Sequence, residues 1–497
     1  MLMKKDTLPT FKRLIIVSYR LPFRFVKTHD HTVIIPNSGG LVSAILSLSE
    51  RLQLPGLSEG KMPIHWIGRG EEIPPGKMTG PEGESPFTLH PVSIPANLNE
   101  KYYSGFCNNT LWPLFHYFPW LTNFREDQWE AYVQANKRFA DILDHIIQPG
   151  DFIWIHDYQL FLLPGMVRKR FPKAIISFFL HIPFPSFEIF RLMPRKWRES
   201  IINGVLGADT IGFHTHAYAR YFLLSVRNTL KLPYKGKSDI IVDGRWVSFN
   251  SFPIGIDYEK FHGDCTSSHV LKEKQKIQKS IGNKKLIFSI DRLDYTKGLL
   301  HRLHAYETFL ENNRDWHEKV VFNMILIPSR DSIAQYQSMK KEIEATVGRI
   351  NGKFSNLGWR PLIYQYRSLH HAELVALYDM SDVGLITPLR DGMNLVAKEY
   401  IACQVQNQGV LILSEMAGAA DELSEAIIIN PYDQHETAQA IQDALEMPDG
   451  IKQERIRMMQ KKVRKNDVIQ WAKAIFNYTL KTSLNYENIG SENLSKD

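Results

Sequence analysis

The sequence predicts an α/β protein built from two Rossmann-like, doubly wound domains with parallel sheets. Three observations predict it. At 497 residues the chain exceeds the size at which one hydrophobic core stops growing, so two domains are expected. Short β-branched runs alternate with amphipathic helical stretches, the rhythm of parallel strands joined by crossover helices. Several of those runs are apolar on both faces, as expected for strands covered by helices on each side.

Taken in order, the strand-like runs of the first half are Leu14 to Ser18, Asp151 to Asp157, Ile175 to Ile182 and Asp209 to Phe213. Those of the second half are Lys285 to Ile290, Val320 to Ile327, Asp382 to Thr387, Gly409 to Leu413 and Ala426 to Asn430. Between them the strand-like stretch Ser251 to Asp257 gives way to a lysine-rich helical segment. The expected domains are therefore 1–255 and 256–467. A helical stretch follows at 468–485, and the polar residues 486–497, which lack an apolar period, are expected to form a disordered tail.

Composition narrows the class. Apolar and charged fractions of 44% and 23% are those of a soluble globular enzyme. The net charge of +7 is spread along the chain, and no basic-aromatic module points to nucleic acid. The densest basic run, Lys461 to Lys465, reads as a solvated helix face. Cys107, Cys265 and Cys403 are far apart in sequence with no CxxC, which argues for a reducing compartment and against disulfides or zinc. The apolar run Leu14 to Val17 is too short for a signal peptide, and nothing approaches the ~18 apolar residues of a membrane span. A cytoplasmic location is expected, with no membrane partner.

Ligands of doubly wound sheets bind at the carboxyl ends of the strands, so the residues there matter most. The first run leads to Arg20, then to Ser38-Gly39-Gly40 before a helix. Those glycines either bring backbone N–H groups to an anion or only open the helix. The next run ends in His156-Asp157, where the aspartate either caps a helix or faces a ligand. The run after it delivers His181, so two neighbouring strands end in histidine. In the second half, Arg292 and Lys297 stand five residues apart on a strand-to-helix loop, a spacing that suits a diphosphate or internal pairing with Asp291 and Asp294. Arg330 is a third strand-end cation. The stretch Thr387 to Tyr400 combines a strand end, an Asp391-Gly392 turn and a helix start, with N–H groups for a phosphate and carboxylates for hydroxyls.

These segments resemble the trehalose-6-phosphate synthases, retaining glycosyltransferases of the two-Rossmann GT-B fold, from about Leu14 to Trp471. The likeness rests on SGGL at Ser38, YYSGFCNNTLWPLFHY at Tyr102, IWIHDYQL at Ile153, FFLHIPFPSFEIF at Phe178, FPIGID at Phe252, DRLDYTKG at Asp291, VGRINGKF at Val347 and TPLRDGMNLVAKEY at Thr387. It implies two domains facing a cleft, with the 468–485 helix crossing back to the first. It implies transfer of glucose from a nucleotide-glucose, UDP-glucose by preference, to glucose 6-phosphate, giving trehalose 6-phosphate.

The resemblance also assigns residues. Arg20, Tyr103, Trp112, Asp157 and Arg330 match the acceptor site. Gly39, Gly40, His181, Arg292, Lys297, Leu369, Asp391, Asn394, Leu395, Val396, Ala397, Lys398 and Glu399 match the donor site. Asp157, His181, Arg292, Lys297 and Asp391 would carry catalysis, with domain closure excluding water. No metal or other cofactor is implied, since cations would offset the leaving diphosphate. A separate phosphatase would complete trehalose synthesis, and a homo-oligomer is compatible. The family differs at two positions: it has Asn where Tyr19 stands and Trp where Arg69 stands. The rival readings are the same fold with another acceptor, such as a glucosylglycerol-phosphate synthase, and a catalytically silent sugar-phosphate sensor.

Overall fold

A computed structural model describes residues 11–27, 32–36, 62–70, 79–80, 83–84, 87–231, 234–235, 239–329, 334–406 and 408–493. The chain divides into two compact units, one of residues 1–253 with 468–497 and the other of residues 254–467. No described helix is long and apolar enough to cross a membrane.

The sheet of the first unit contains, among the described residues, β1 (Arg13–Arg20), β2 (Ile64–Arg69), β3 (Thr88–Val92), β4 (Asp151–His156), β5 (Ile175–Phe179), β6 (Thr210–Phe213), β7 (Tyr234–Lys235), β8 (Asp239–Val242) and β9 (Arg245–Ser251). Their order is β7-β8-β9-β6-β5-β4-β1-β2-β3. All neighbours run parallel except β7 with β8 and β8 with β9. Every residue of β4 is buried, and its apolar run Phe152 to Ile155 fits a strand covered on both faces. The Glu126–Leu143 helix buries Trp129, Tyr132, Ala135 and Phe139, a stripe at helical spacing.

The chain winds outward from β1 in both directions, through β2 and β3 on one side and β4, β5 and β6 on the other. The switch point therefore lies at β1 and β4, where doubly wound sheets hold their ligands. The Val468–Asn493 helix completes this unit's core. Trp471 lies 5.0 Å from Trp154 between ring centroids, and Phe476 lies 5.0 Å from Phe152. This helix continues well past residue 485, so the tail expected from 486 is helical as far as Asn493. The polar sequence hid that continuation because it carries no apolar stripe.

Among the described residues the second unit has a six-stranded parallel sheet: β10 (Lys285–Arg292), β11 (Val320–Ile327), β12 (Leu362–Tyr366), β13 (Val383–Ile386), β14 (Val410–Ser414) and β15 (Ile427–Ile429). The order β12-β11-β10-β13-β14-β15 puts the switch point between β10 and β13. Tyr306, Phe322, Met324, Leu385, Ile412 and Ile441 belong to its core. Cys265 and Cys403, distant in sequence, meet here as free thiols, with Cys265 Sγ 3.5 Å from the Cys403 carbonyl.

Candidate functional site

In the first unit, four adjacent strands end in polar side chains. Arg69 closes β2, Arg20 closes β1, His156 closes β4 with Asp157 directly after it, and His181 follows β5 by two residues. Arg20 is held by aromatic rings. Its guanidinium carbon lies 5.6 Å from the centre of Tyr103 and 5.9 Å from that of Tyr19, and Nη2 donates to the Tyr103 hydroxyl at 3.4 Å. Tyr19 and Tyr103 stack at 4.2 Å and 7°, and the Tyr19 hydroxyl donates to Asn99 Oδ1 at 2.7 Å. Burial raises the Tyr19 phenol pKa, as does Tyr103, while Arg69 and Arg20 oppose that rise. Tyr103 is delivered by a π-helix, Glu100–Leu111, directly followed by the buried Trp112.

Asp157 has φ 76° and ψ 169°, a region that only glycine adopts without strain. Its N–H donates to the Phe179 carbonyl at 2.8 Å, and its Oδ1 accepts the His181 N–H at 3.1 Å. The strained peptide thus ties the end of β4 to the end of β5. His156 Nδ1 and His181 Nε2 are 3.0 Å apart. Burial pushes the His181 pKa down to about 3 and holds His156 well below its ordinary value, with His181 adding to the latter.

In the second unit the polar residues again crowd the switch point. Arg292 is exposed at the last position of β10. Lys297 follows on a single turn, Tyr295–Lys297, capped by Asp294 Oδ1 accepting from the Thr296 N–H at 3.0 Å. Gly298 has φ 66°, and a Cβ there would lie 2.5 Å from the Thr387 carbonyl oxygen, so only glycine lets the two loops touch. The fully buried Arg302 fastens them. It donates to Asp291 Oδ2 at 2.7 Å, to Thr387 Oγ1 at 2.9 Å and to the Lys297 carbonyl at 3.2 Å. Burial raises the Asp291 pKa, and Arg302 and Lys297 oppose that rise.

Lys297 Nζ reaches Asp391 Oδ2 at 2.5 Å, and the same oxygen accepts from Asn394 Nδ2 at 3.0 Å. Asn394, at φ 80°, caps the Leu395–Cys403 helix by accepting the Ala397 N–H at 3.2 Å. One amide side chain therefore orients Asp391 and opens the helix. Leu395 and Val396 are half-buried in its first turn and Ala397 is buried. Lys398 points elsewhere: its ammonium is buried against Glu422 and donates to the Ile254 carbonyl at 2.7 Å. Glu399 accepts from the Tyr378 hydroxyl at 2.8 Å, and burial raises its pKa. Leu369 is half-buried in the loop after β12. Gly39, Gly40 and Arg330 lie outside the described residues.

Arg302 and the pairing of His156 with His181 escaped the sequence reading. Arg302 sits in a helix interior and carries no motif signal. The two histidines were visible as strand ends, but not their contact. Among the described residues no three His, Cys, Asp or Glu side chains converge on a position that could hold a metal ion.

A family model described as glycosyltransferase family 20 matches residues 12–481. A bifunctional trehalose-6-phosphate synthase/phosphatase of Thermoproteus tenax is 42% identical over 462 residues, covering 92% of this chain and 62% of that protein. The chain thus spans under two thirds of that relative's length. Two solved structures resemble it at 34% identity, each covering 94% of this chain and 99% of its own. One is an alpha,alpha-trehalose-phosphate synthase (UDP-forming) from Burkholderia xenovorans in complex with glucose-6-phosphate, at a TM-score of 0.83. The other is a trehalose-6-phosphate protein from E. coli bound with UDP-2-fluoro glucose, at 0.84. Two parallel-sheet α/β units of the GT-B class, together with a family match over nearly the whole sequence, show that the chain belongs to glycosyltransferase family 20.

Proposed function

We propose that the chain transfers glucose, with retention, from UDP-glucose to glucose 6-phosphate, giving alpha,alpha-trehalose 6-phosphate and UDP. The observation that carries this reading is the hydrogen-bonded chain Lys297–Asp391–Asn394 at the switch point of the second sheet. A lysine for a leaving diphosphate, a carboxylate for sugar hydroxyls and a capped helix start for phosphate oxygens stand side by side there. The molecules bound in the two solved relatives, glucose-6-phosphate and UDP-2-fluoro glucose, support the same assignment.

In the first unit, Arg20, Tyr103, Trp112 and Asp157 would hold the acceptor, together with Arg330. In the second, Arg292 and Lys297 would hold the diphosphate, Asp391 and Asn394 the transferred glucose, and Leu369, Leu395, Val396, Ala397 and Glu399 the rest of the nucleotide. Gly39, Gly40 and His181 would complete the donor contacts. In the reaction the bond from the anomeric carbon to the UDP oxygen breaks. A bond to the acceptor's anomeric hydroxyl oxygen forms on the same face, and that hydroxyl's proton passes to the leaving phosphate. Arg292 and Lys297 would stabilise the charge that develops on the diphosphate, without a metal. The product is a phosphate monoester, so a phosphatase is the enzyme that would act on it next.

The test is to incubate the purified protein with UDP-, ADP- or GDP-glucose and glucose 6-phosphate, with and without EDTA, and identify the product by NMR. An α,α-linked disaccharide phosphate formed from UDP-glucose in both arms is expected. No transfer to glucose 6-phosphate from any donor would overturn the reading, and loss of turnover in EDTA that added Mg²⁺ restores would overturn the metal-free mechanism.

A further inference from the structure

We propose that His156 is a positioning residue: its Nδ1–H donates to His181 Nε2 and so fixes the side chain of His181 with its proton on Nδ1. The inference rests on the reading of His181 as a contact to the transferred sugar. It adds which atom makes that contact and what sets it.

His156 is fully buried at the end of β4, 3.0 Å from His181 through Nδ1. Its other nitrogen, Nε2, is buried and has no hydrogen-bond partner among the described residues. Two proton arrangements satisfy the 3.0 Å contact. If His181 Nε2–H donates, the neutral His156 must carry its own proton on Nε2, where no described group accepts it. If His156 Nδ1–H donates, Nε2 is a bare lone pair.

The surroundings choose between these arrangements. The Trp154 ring lies 4.5 Å from His156, and Trp471 lies 5.0 Å from Trp154. Both indole N–H groups are themselves buried without acceptors among the described residues. A third unaccepted N–H in that cluster would add one more orphaned buried donor, and an orphaned buried donor is rarer and costlier than an acceptor with a spare lone pair. Burial holds both imidazoles neutral, with the His181 pKa near 3. His181, accepting at Nε2, then has its proton on Nδ1.

The consequence is a polarity. His181 offers an N–H and no free lone pair, so it donates to a hydroxyl oxygen. Its backbone is fixed separately, by the N–H bond to Asp157 Oδ1. Main chain and ring are thus both anchored through the His156-Asp157 pair.

The test is long-range ¹H–¹⁵N correlation of the full chain labelled with [¹⁵N]histidine, with the His181 signals identified by their absence in His181→Gln. A neutral His181 with a protonated Nδ1 and an unprotonated Nε2 at pH 7.5 is expected. His156→Leu, which removes the donor, should shift His181 toward the Nε2–H form and lower kcat/KM about tenfold or more. His156→Asn, whose amide nitrogen can take the place of Nδ1, should restore the Nδ1–H form and recover part of that loss. An Nε2–H form in the parent protein would overturn the proposal even if His156→Leu failed to fold. So would an unchanged tautomer in a folded His156→Leu protein. A correct tautomer with full activity in His181→Gln would instead count against the sugar contact and leave the role of His156 standing.

Discussion

Arg20 and Arg69 are register partners on neighbouring parallel strands, so two arginines stand side by side at the ends of β1 and β2. Both are exposed, and neither makes an ion pair with a described carboxylate. Adjacent like charges repel one another, and a phosphate between them would turn that repulsion into two charge-assisted contacts. Arg69→Ala or Arg69→Trp should therefore raise the KM for the sugar phosphate about tenfold. That corresponds to losing a contact worth roughly 1.5–3 kcal/mol. The KM for the nucleotide-sugar should stay near the parent value. Equal acceptor constants would place Arg69 outside the pocket.

Arg292 ends β10 at the second switch point, and its loss should be felt in the transition state more than in binding. Arg292→Ala should lower kcat on the order of a hundredfold, as removal of one charge partner from developing anionic charge does. The melting temperature should move little, because the side chain is exposed. Near-parent kcat in a folded variant would remove Arg292 from the reaction.

Lys398 lies in the Leu395–Cys403 helix, whose first turn is proposed to face the ligand, yet its ammonium is buried with Glu422. Burial lowers its pKa and Glu422 opposes that shift. Lys398→Ala would leave the Glu422 charge without its partner inside the fold, at a cost of about 3–5 kcal/mol. For a unit of this size that is a fall of roughly 10 °C in Tm. Pairing Lys398→Met with Glu422→Leu should recover most of it. A Tm within about 2 °C of the parent in the single variant would show the pair to be dispensable.

His156 and His181 both have folded-state pKa values below the ordinary value near 6.5. As pH falls through that value, the unfolded chain takes up protons that the folded chain does not, so stability declines toward acid. Each histidine contributes up to about 1.4 kcal/mol per pH unit below pH 6. Chemical denaturation of His156→Asn between pH 6 and pH 5 should show a slope shallower by about that amount. An unchanged slope would mean that His156 is protonated in the folded protein.

Most central strands could be read from the sequence because a strand covered on both faces is apolar along most of its length. β4 and β11 are the clearest cases. β2, β3, β9 and β12 are harder to read, since His, Arg or Gln interrupts the apolar pattern of each. Arg20, Asp157, Arg292 and Asp391 were visible as polar residues ending apolar runs. The direction of the Lys398 side chain was not, because a lysine at a helix start looks the same whether it faces a phosphate or Glu422. Arg302 escaped for a related reason: its partners Asp291 and Thr387 belong to two different loops.

The placement of Trp471 and Phe476 in the core of the first unit bears on how the chain matures on the ribosome. Strands β1 to β9 emerge first, but the side chains that cover Phe152 and Trp154 lie beyond an intervening unit of about 200 residues. At roughly 5–20 residues per second, the ribosome needs on the order of 10–40 s to reach them. During that interval Phe11, Phe152 and Trp154 lack the covering they have in the finished protein. A nascent chain stalled before Val468 should bind a hydrophobic-segment chaperone, and one extended past Leu480 should release it.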